Sequence, residues 1–117
     1  MIKMPRTKTP DVLFKRLLSD SVSKNIKFPV FDFYGKALGD IENYKGEKES
    51  IYVIRKDFSS NVDRNTESTM TFFLFSKEGI GIVLYLDCST SRDSVEDYNL
   101  PQGIKDYAYK VFFKPLQ

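Results

Sequence analysis

Thr69-Met70-Thr71-Phe72-Phe73-Leu74-Phe75, followed by Ser76-Lys77-Glu78-Gly79 and then Ile80-Gly81-Ile82-Val83-Leu84-Tyr85-Leu86, is the stretch that decides the fold. Two apolar arms rich in β-branched and aromatic residues flank a short polar turn ending in glycine, the pattern of a β-hairpin. The second arm is almost wholly apolar. Such a run predicts a central strand covered on both faces, with Gly81 permitting close approach of another backbone.

A hairpin cannot bury its own faces, so the cover must come from elsewhere in the chain. Towards the N-terminus, Thr9-Pro10-Asp11 is a helix-start signal: Thr can cap, Pro is preorganised for the first turn, and Asp favours the positive end of the helix dipole. Val12, Leu13, Phe14, Leu17 and Leu18 then recur at helical spacing. The spacing predicts an amphipathic helix over 10–24 whose stripe covers the sheet. From Phe28 the period changes, and Phe28–Tyr34 reads as a strand whose Pro29 suits an edge or a strand start. A turn over Gly35–Gly39, a short strand around Ala37–Tyr44 and a charged surface turn at Lys45–Glu49 follow. The stretch Ser50–Phe58 alternates Ile51, Val53 and Arg55 against Tyr52, Ile54 and Lys56, as a strand does. The polar run Ser59–Ser68 reads as a long loop.

Beyond the hairpin, Cys88–Asp97 reads as a polar loop and Leu100-Pro101-Gln102-Gly103 as a turn. In Ile104–Phe113, Tyr107, Tyr109, Val111 and Phe113 alternate with Asp106, Ala108, Lys110 and Phe112, which predicts a half-buried terminal strand. The expected architecture is α+β: one N-terminal amphipathic helix packed on an antiparallel sheet of four to six strands. Residues 1–8 are expected to form a flexible basic arm and 9–117 a single domain, since 117 residues suit one core rather than two.

Composition narrows the chemistry. The chain has no histidine, which excludes Ser-His-Asp triads, His-based acid–base pairs and His-bearing zinc sites. Its one cysteine, Cys88, excludes an internal disulfide and suits a reducing compartment, so a cytoplasmic location is expected. No apolar run approaches the ~20 residues that cross a bilayer, and Met1–Pro10 lacks a signal-peptide core, so no membrane association is expected. Ten Phe and seven Tyr supply the large side chains of the core and of any contact surface.

One short motif carries a family resemblance. Asp87-Cys88-Ser89-Thr90-Ser91, directly after the apolar arm, has a D-x-S-x-S spacing that resembles the metal-ion-dependent adhesion site of von Willebrand factor A domains. The resemblance implies a divalent cation held through hard oxygens of Asp87, Ser89 and Ser91. In that family later loops of a doubly wound fold supply further ligands, and too little chain follows Ser91 to build such a fold. The plainer alternative is a turn whose Asp, Ser and Thr bond the local backbone. Other carboxylates, at Asp32, Asp40, Glu42, Asp57, Asp63 and Glu67, would need folding to bring a pair together. Cys88 has no histidine to lower its pKa by pairing, so it reads as a small apolar residue.

Charge is uneven although the net is only +2: residues 1–27 hold Lys3, Arg6, Lys8, Lys15, Arg16, Lys24 and Lys27 against Asp11 and Asp20. A basic arm and helix of this kind can track phosphates, with exposed aromatics stacking on bases. Three function classes therefore stand. The first is a non-enzymatic binding module, needing no cofactor, that occupies another protein. A small viral or mobile-element inhibitor, an immunity or adaptor protein, or an assembly subunit would each fit it. Its contact surface is expected on an edge strand, on the 59–68 loop with Arg64, or on aromatic faces bearing Tyr52, Tyr107 and Tyr109. A homodimer through an uncovered edge strand belongs to the same class. The second class is nucleic-acid binding through the basic N-terminus. The third is a metal-dependent hydrolase or nuclease using Asp87.

Overall fold

A continuous antiparallel ladder joins Ile51–Ser60 (β3) to Thr66–Ser76 (β4), from the Ile51–Phe75 pair at one end to Ser60–Thr66 at the other. The computed structural model describes residues 10–60, 66–87 and 89–113. The ladder corrects the expected 59–68 loop, because both strands run into that polar stretch. Backbone pairing does not need apolar side chains, and Ser and Thr sustain it after the apolar pattern has ended.

The expected helix is present as α1 (Pro10–Lys24), with Asp11 in its first turn and Lys24 in its last. It ends where Asn25 adopts φ +58°, the left-handed conformation that stops a helix. Ser21, fully buried, donates its hydroxyl to the Ile26 carbonyl at 2.6 Å and so closes this end without an unsatisfied polar group. Pro29–Asp32 (β1) and Ala37–Asp40 (β2) form a short hairpin, β2 stopping well before Tyr44. The Asp32 carboxylate accepts the Tyr34 and Lys36 amides at 2.8 and 2.9 Å, which fixes the turn between them.

The hairpin of β4 with Gly79–Leu86 (β5) forms as expected, but its position does not. The strand order is β2-β1-β3-β4-β5, so β5 is an edge strand. The strand covered on both faces is β3, in which Ile51, Tyr52, Val53 and Ile54 are all buried. On one face Phe14 and Leu17 of α1 pack on Phe28, Val30, Ile41, Ile51, Val53, Phe75 and Ile80. On the other, Tyr52, Ile54, Phe72, Leu84 and Leu86 meet residues from the C-terminal segment. Each fully buried Leu, Ile or Phe contributes roughly 1.5–3 kcal/mol of transfer free energy.

That C-terminal segment is helical. Arg92–Glu96 (α2) replaces part of the expected polar loop, and Gln102–Val111 (α3) replaces the expected terminal strand. Ile104, Tyr107, Ala108 and Val111 recur at i, i+3, i+4 and i+7, and this stripe caps the second face, with Ile104 and Ala108 fully buried beside Val95 of α2. The sheet thus lies between α1 and the α2–α3 pair. No helix among the described residues is long and apolar enough to cross a membrane.

Candidate functional site

The two edges of the sheet are built differently. β2 has four residues, its register slips at Val30/Phe31, Gly39 bends it at φ +108°, and Asp40 at its end pairs with Lys27 at 3.8 Å. Shortness, irregularity and charge are the devices that keep an edge from pairing with another chain. β5 has eight residues and carries no charged residue and no proline. Every second residue of such an edge turns its N–H and C=O away from the ladder.

Side chains reinforce the contrast. Register places Ile82 beside Phe73 and Tyr85 beside Thr71. Ile82 is 62% exposed and Tyr85 51% exposed, while Phe73 and Thr71 are half-buried. Ile80 and Phe73 pack with α1 in one cluster, whereas Ile82 and Tyr85 stay exposed. At the turn end of the hairpin, Leu74, Ile80, Gly81 and Val83 line an apolar hollow of about 240 Å³. A Cβ on Gly81 would meet nothing within 4 Å, so the expected close approach of another backbone at this glycine does not occur among the described residues. The one irregularity is at Val83, which stands as an extra residue where Phe72 pairs with Leu84 and Phe73 with Ile82.

Compared with known proteins, the chain matches no family model, no curated protein and no solved structure.

The residues singled out in the sequence fall in several places. Tyr52 is 5% exposed, a core residue stacked on Phe33 with ring centroids 6.2 Å apart. Tyr107 and Tyr109 lie on α3. Tyr107 meets Phe31 edge-on at 5.4 Å, and burial pushes its hydroxyl up to about 12. Tyr109 donates its hydroxyl to Glu96, with the Arg92 guanidinium 4.4 Å from its ring centroid, so it ties α3 to α2. Arg64, Lys3, Arg6 and Lys8 lie outside the described residues. Lys15 and Arg16 are exposed on α1, whereas Lys24 is paired with Asp57 at 3.7 Å and Lys27 with Asp40.

The D-x-S-x-S segment is a self-satisfied turn. Asp87 Oδ1 accepts the Ser89 amide at 3.0 Å, the Ser89 hydroxyl at 2.8 Å and the Thr90 hydroxyl at 3.2 Å. The Ser89 hydroxyl above all, then its amide, holds the Asp87 carboxyl below its usual range. Ser91 Oγ lies 3.3 Å from Ser94 Oγ at the start of α2, not on Asp87. No cluster of three or more acidic, Cys or His residues arranged to hold a metal occurs among the described residues.

Ile82 and Tyr85 are the residues that sequence reasoning missed. Their apolar run looks the same whether a strand is central or at an edge. The available signal was the helical spacing of Ile104, Tyr107, Ala108 and Val111, which removes the expected terminal strand as a neighbour for β5.

Proposed function

We propose that this chain is a non-enzymatic protein-interaction module whose contact strand is β5. The observation that carries the reading is the long, uncharged edge with exposed Ile82 and Tyr85, set against an opposite edge that is short and charged. An edge of this kind binds by strand addition, in which main-chain hydrogen bonds give affinity and alternate side chains give specificity. Aromatic and aliphatic anchors such as Tyr85 and Ile82 supply the apolar contact. The lack of histidine and the engagement of Asp87 in its own turn favour binding over catalysis. An inhibitor, an immunity or adaptor protein, or an assembly subunit would each work in this way. The proposal puts the module in the cytoplasm, where its lone cysteine stays reduced.

The test is capture by the tagged full chain from lysate of its source or host, with and without nuclease and at low and high salt. A stoichiometric protein partner that survives both treatments, is lost with Ile82→Lys and is kept with Lys15→Glu/Arg16→Glu supports the reading. Recovery that disappears with nuclease, with salt or with the charge-reversed helix overturns it in favour of nucleic-acid binding.

A further inference from the structure

We infer that Lys56 of β3 is an acylation site, its side-chain amine taking the acyl group of a small thioester, and that this modification stabilises the fold. The inference does not depend on β5 or on what binds there.

Alternation along β3 puts Lys56 on the face of Tyr52 and Ile54, which α3 covers, while Arg55 and Asp57 turn to α1. Register sets Lys56 beside Met70, a buried residue that pairs in turn with Leu86. From α3 comes Tyr107, with the Lys56 Nζ 5.9 Å from its ring centroid. Tyr107 is the titratable group that faces this amine, and with its hydroxyl pushed up to about 12 it stays neutral and supplies no counter-charge. Asp57 is engaged with Arg55 and Lys24 on the opposite face, and Glu96 with Lys105 and Tyr109.

Among the described residues the half-buried lysines are Lys48, Lys56 and Lys105. Lys48 pairs with Asp11 at 3.8 Å and Lys105 with Glu96 at 3.7 Å, whereas Lys56 pairs with no carboxylate among those residues. An ammonium in that position, held only by a ring near the limit of cation–π contact, is poorly compensated for the water it has lost. Burial accordingly lowers its pKa, and more of it is present as the neutral, nucleophilic amine.

The step balances without a further reactant. The Nζ lone pair attacks the thioester carbonyl carbon and forms the C–N bond. The C–S bond breaks, and the thiolate leaves with the bonding electrons and takes up the proton that nitrogen sheds. The product is a neutral amide, so the charge that burial penalises is gone while the four-carbon stem keeps its packing. At Lys24, Lys27, Lys48 or Lys105 the same reaction would instead break an ion pair.

The experiment treats the full chain with S-acetyl-N-acetylcysteamine over a pH series and locates the acetyl groups by peptide mass spectrometry. Lys56 is expected to reach half-maximal rate at a lower pH than the exposed Lys15 and Lys36. At neutral pH it should react at least about threefold faster than either, since each unit by which a pKa falls frees about tenfold more amine. Lys56→Gln, the neutral counterpart of the acylated side chain, is expected to melt about 2–4 °C above the wild type. Lys56→Arg, which keeps the charge, should lose the label at this position without that rise. A half-maximal pH equal to that of Lys15 and Lys36, a rate no faster than theirs, or a Lys56→Gln variant that melts no higher than the wild type overturns the inference.

Discussion

Gly103, in the first turn of α3, lies so close to Gly35 in the β1–β2 turn that a Cβ at position 103 would overlap the Gly35 carbonyl oxygen and stand 3.0 Å from its carbonyl carbon. Here the helix meets the turn backbone to backbone, and neither side can yield by rotating a side chain. Replacing an exposed helical Gly by Ala ordinarily stabilises by up to about 1 kcal/mol. At this position the overlap reverses the sign, and Gly103→Ala should cost about 2 kcal/mol or more in chemical denaturation. A variant as stable as the wild type would mean that α3 does not seat on the turn in this way.

Arg55 joins α1 to the sheet. It donates to Asp20 at 2.5 Å and to Asp57 at 2.9 Å while its guanidinium lies 5.6 Å from the Phe28 ring centroid. These groups are partly exposed, so solvent screening limits the pair. A double-mutant cycle on Asp20→Ala and Arg55→Met should give a coupling of about 1 kcal/mol that shrinks in high salt. Coupling indistinguishable from zero at low salt would reduce the bridge to a surface contact.

The α1 helix and the β4–β5 hairpin were legible because their signals are local: a capped start with a 3.6-residue stripe, and two apolar arms about a polar turn. The last helix was not, because Ile104–Phe113 satisfies two periods at once. Tyr107, Tyr109 and Val111 alternate like a strand, while Ile104, Tyr107, Ala108 and Val111 also share one helical face. What selects the helix is non-local, namely Val95, Phe31 and the uncovered sheet face that Ile104 and Ala108 fill. The same lack of non-local information hid the exposure of Ile82 and Tyr85, since an apolar run does not say which strands lie beside it. The Asp87 turn was readable as one of two alternatives, and its own hydroxyl and amide donors give it the form of the plainer one.

The two periods make opposite predictions for Ala108 and Lys110. In a strand both would share the polar side with Asp106, and in α3 Ala108 is fully buried while Lys110 is exposed. Ala108→Asp should therefore cost about 3 kcal/mol or more through a buried charge, and Lys110→Asp should stay within about 0.5 kcal/mol. Equal tolerance at the two sites in urea titrations would contradict the helix.

Tyr107 gives the fold an alkaline dependence. Its hydroxyl ordinarily ionises at 10.0, and burial in the folded chain raises this to about 12. The folded state therefore holds the proton longer, and the stability this contributes is complete below pH 10 and lost between pH 10 and about 12. Tyr52, raised by burial, acts in the same direction. Lys56, lowered by burial, acts in the opposite one, because its desolvated ammonium is relieved as pH rises. The contribution of Tyr107 is isolated by comparison with Tyr107→Phe, whose denaturation midpoint should fall less steeply over that window. Parallel curves for the two proteins would show that Tyr107 ionises in the folded chain as it does in the unfolded one.

Asp87 decides between a cation site and a turn. Its Oδ1 already receives three donors from Ser89 and Thr90, and Ser91 points to Ser94, so a divalent ion would have to displace bonds that hold the strand end. A ligand that binds the folded state raises its melting temperature in proportion to the logarithm of its excess over Kd. Millimolar Mg²⁺ or Ca²⁺ should therefore leave the melting temperature unchanged. Asp87→Ala should lower it in the absence of any metal, because the Ser89 amide and hydroxyl and the Thr90 hydroxyl lose their acceptor. The pH dependence follows the same logic. A carboxylate held below its usual range contributes stability above its unfolded pKa and loses it as pH falls through the folded one, so the difference between wild type and Asp87→Ala should narrow in acid. A cation-dependent rise in melting temperature that Asp87→Ala abolishes would instead establish a metal site at the end of β5 and remove the turn as the reason for this sequence.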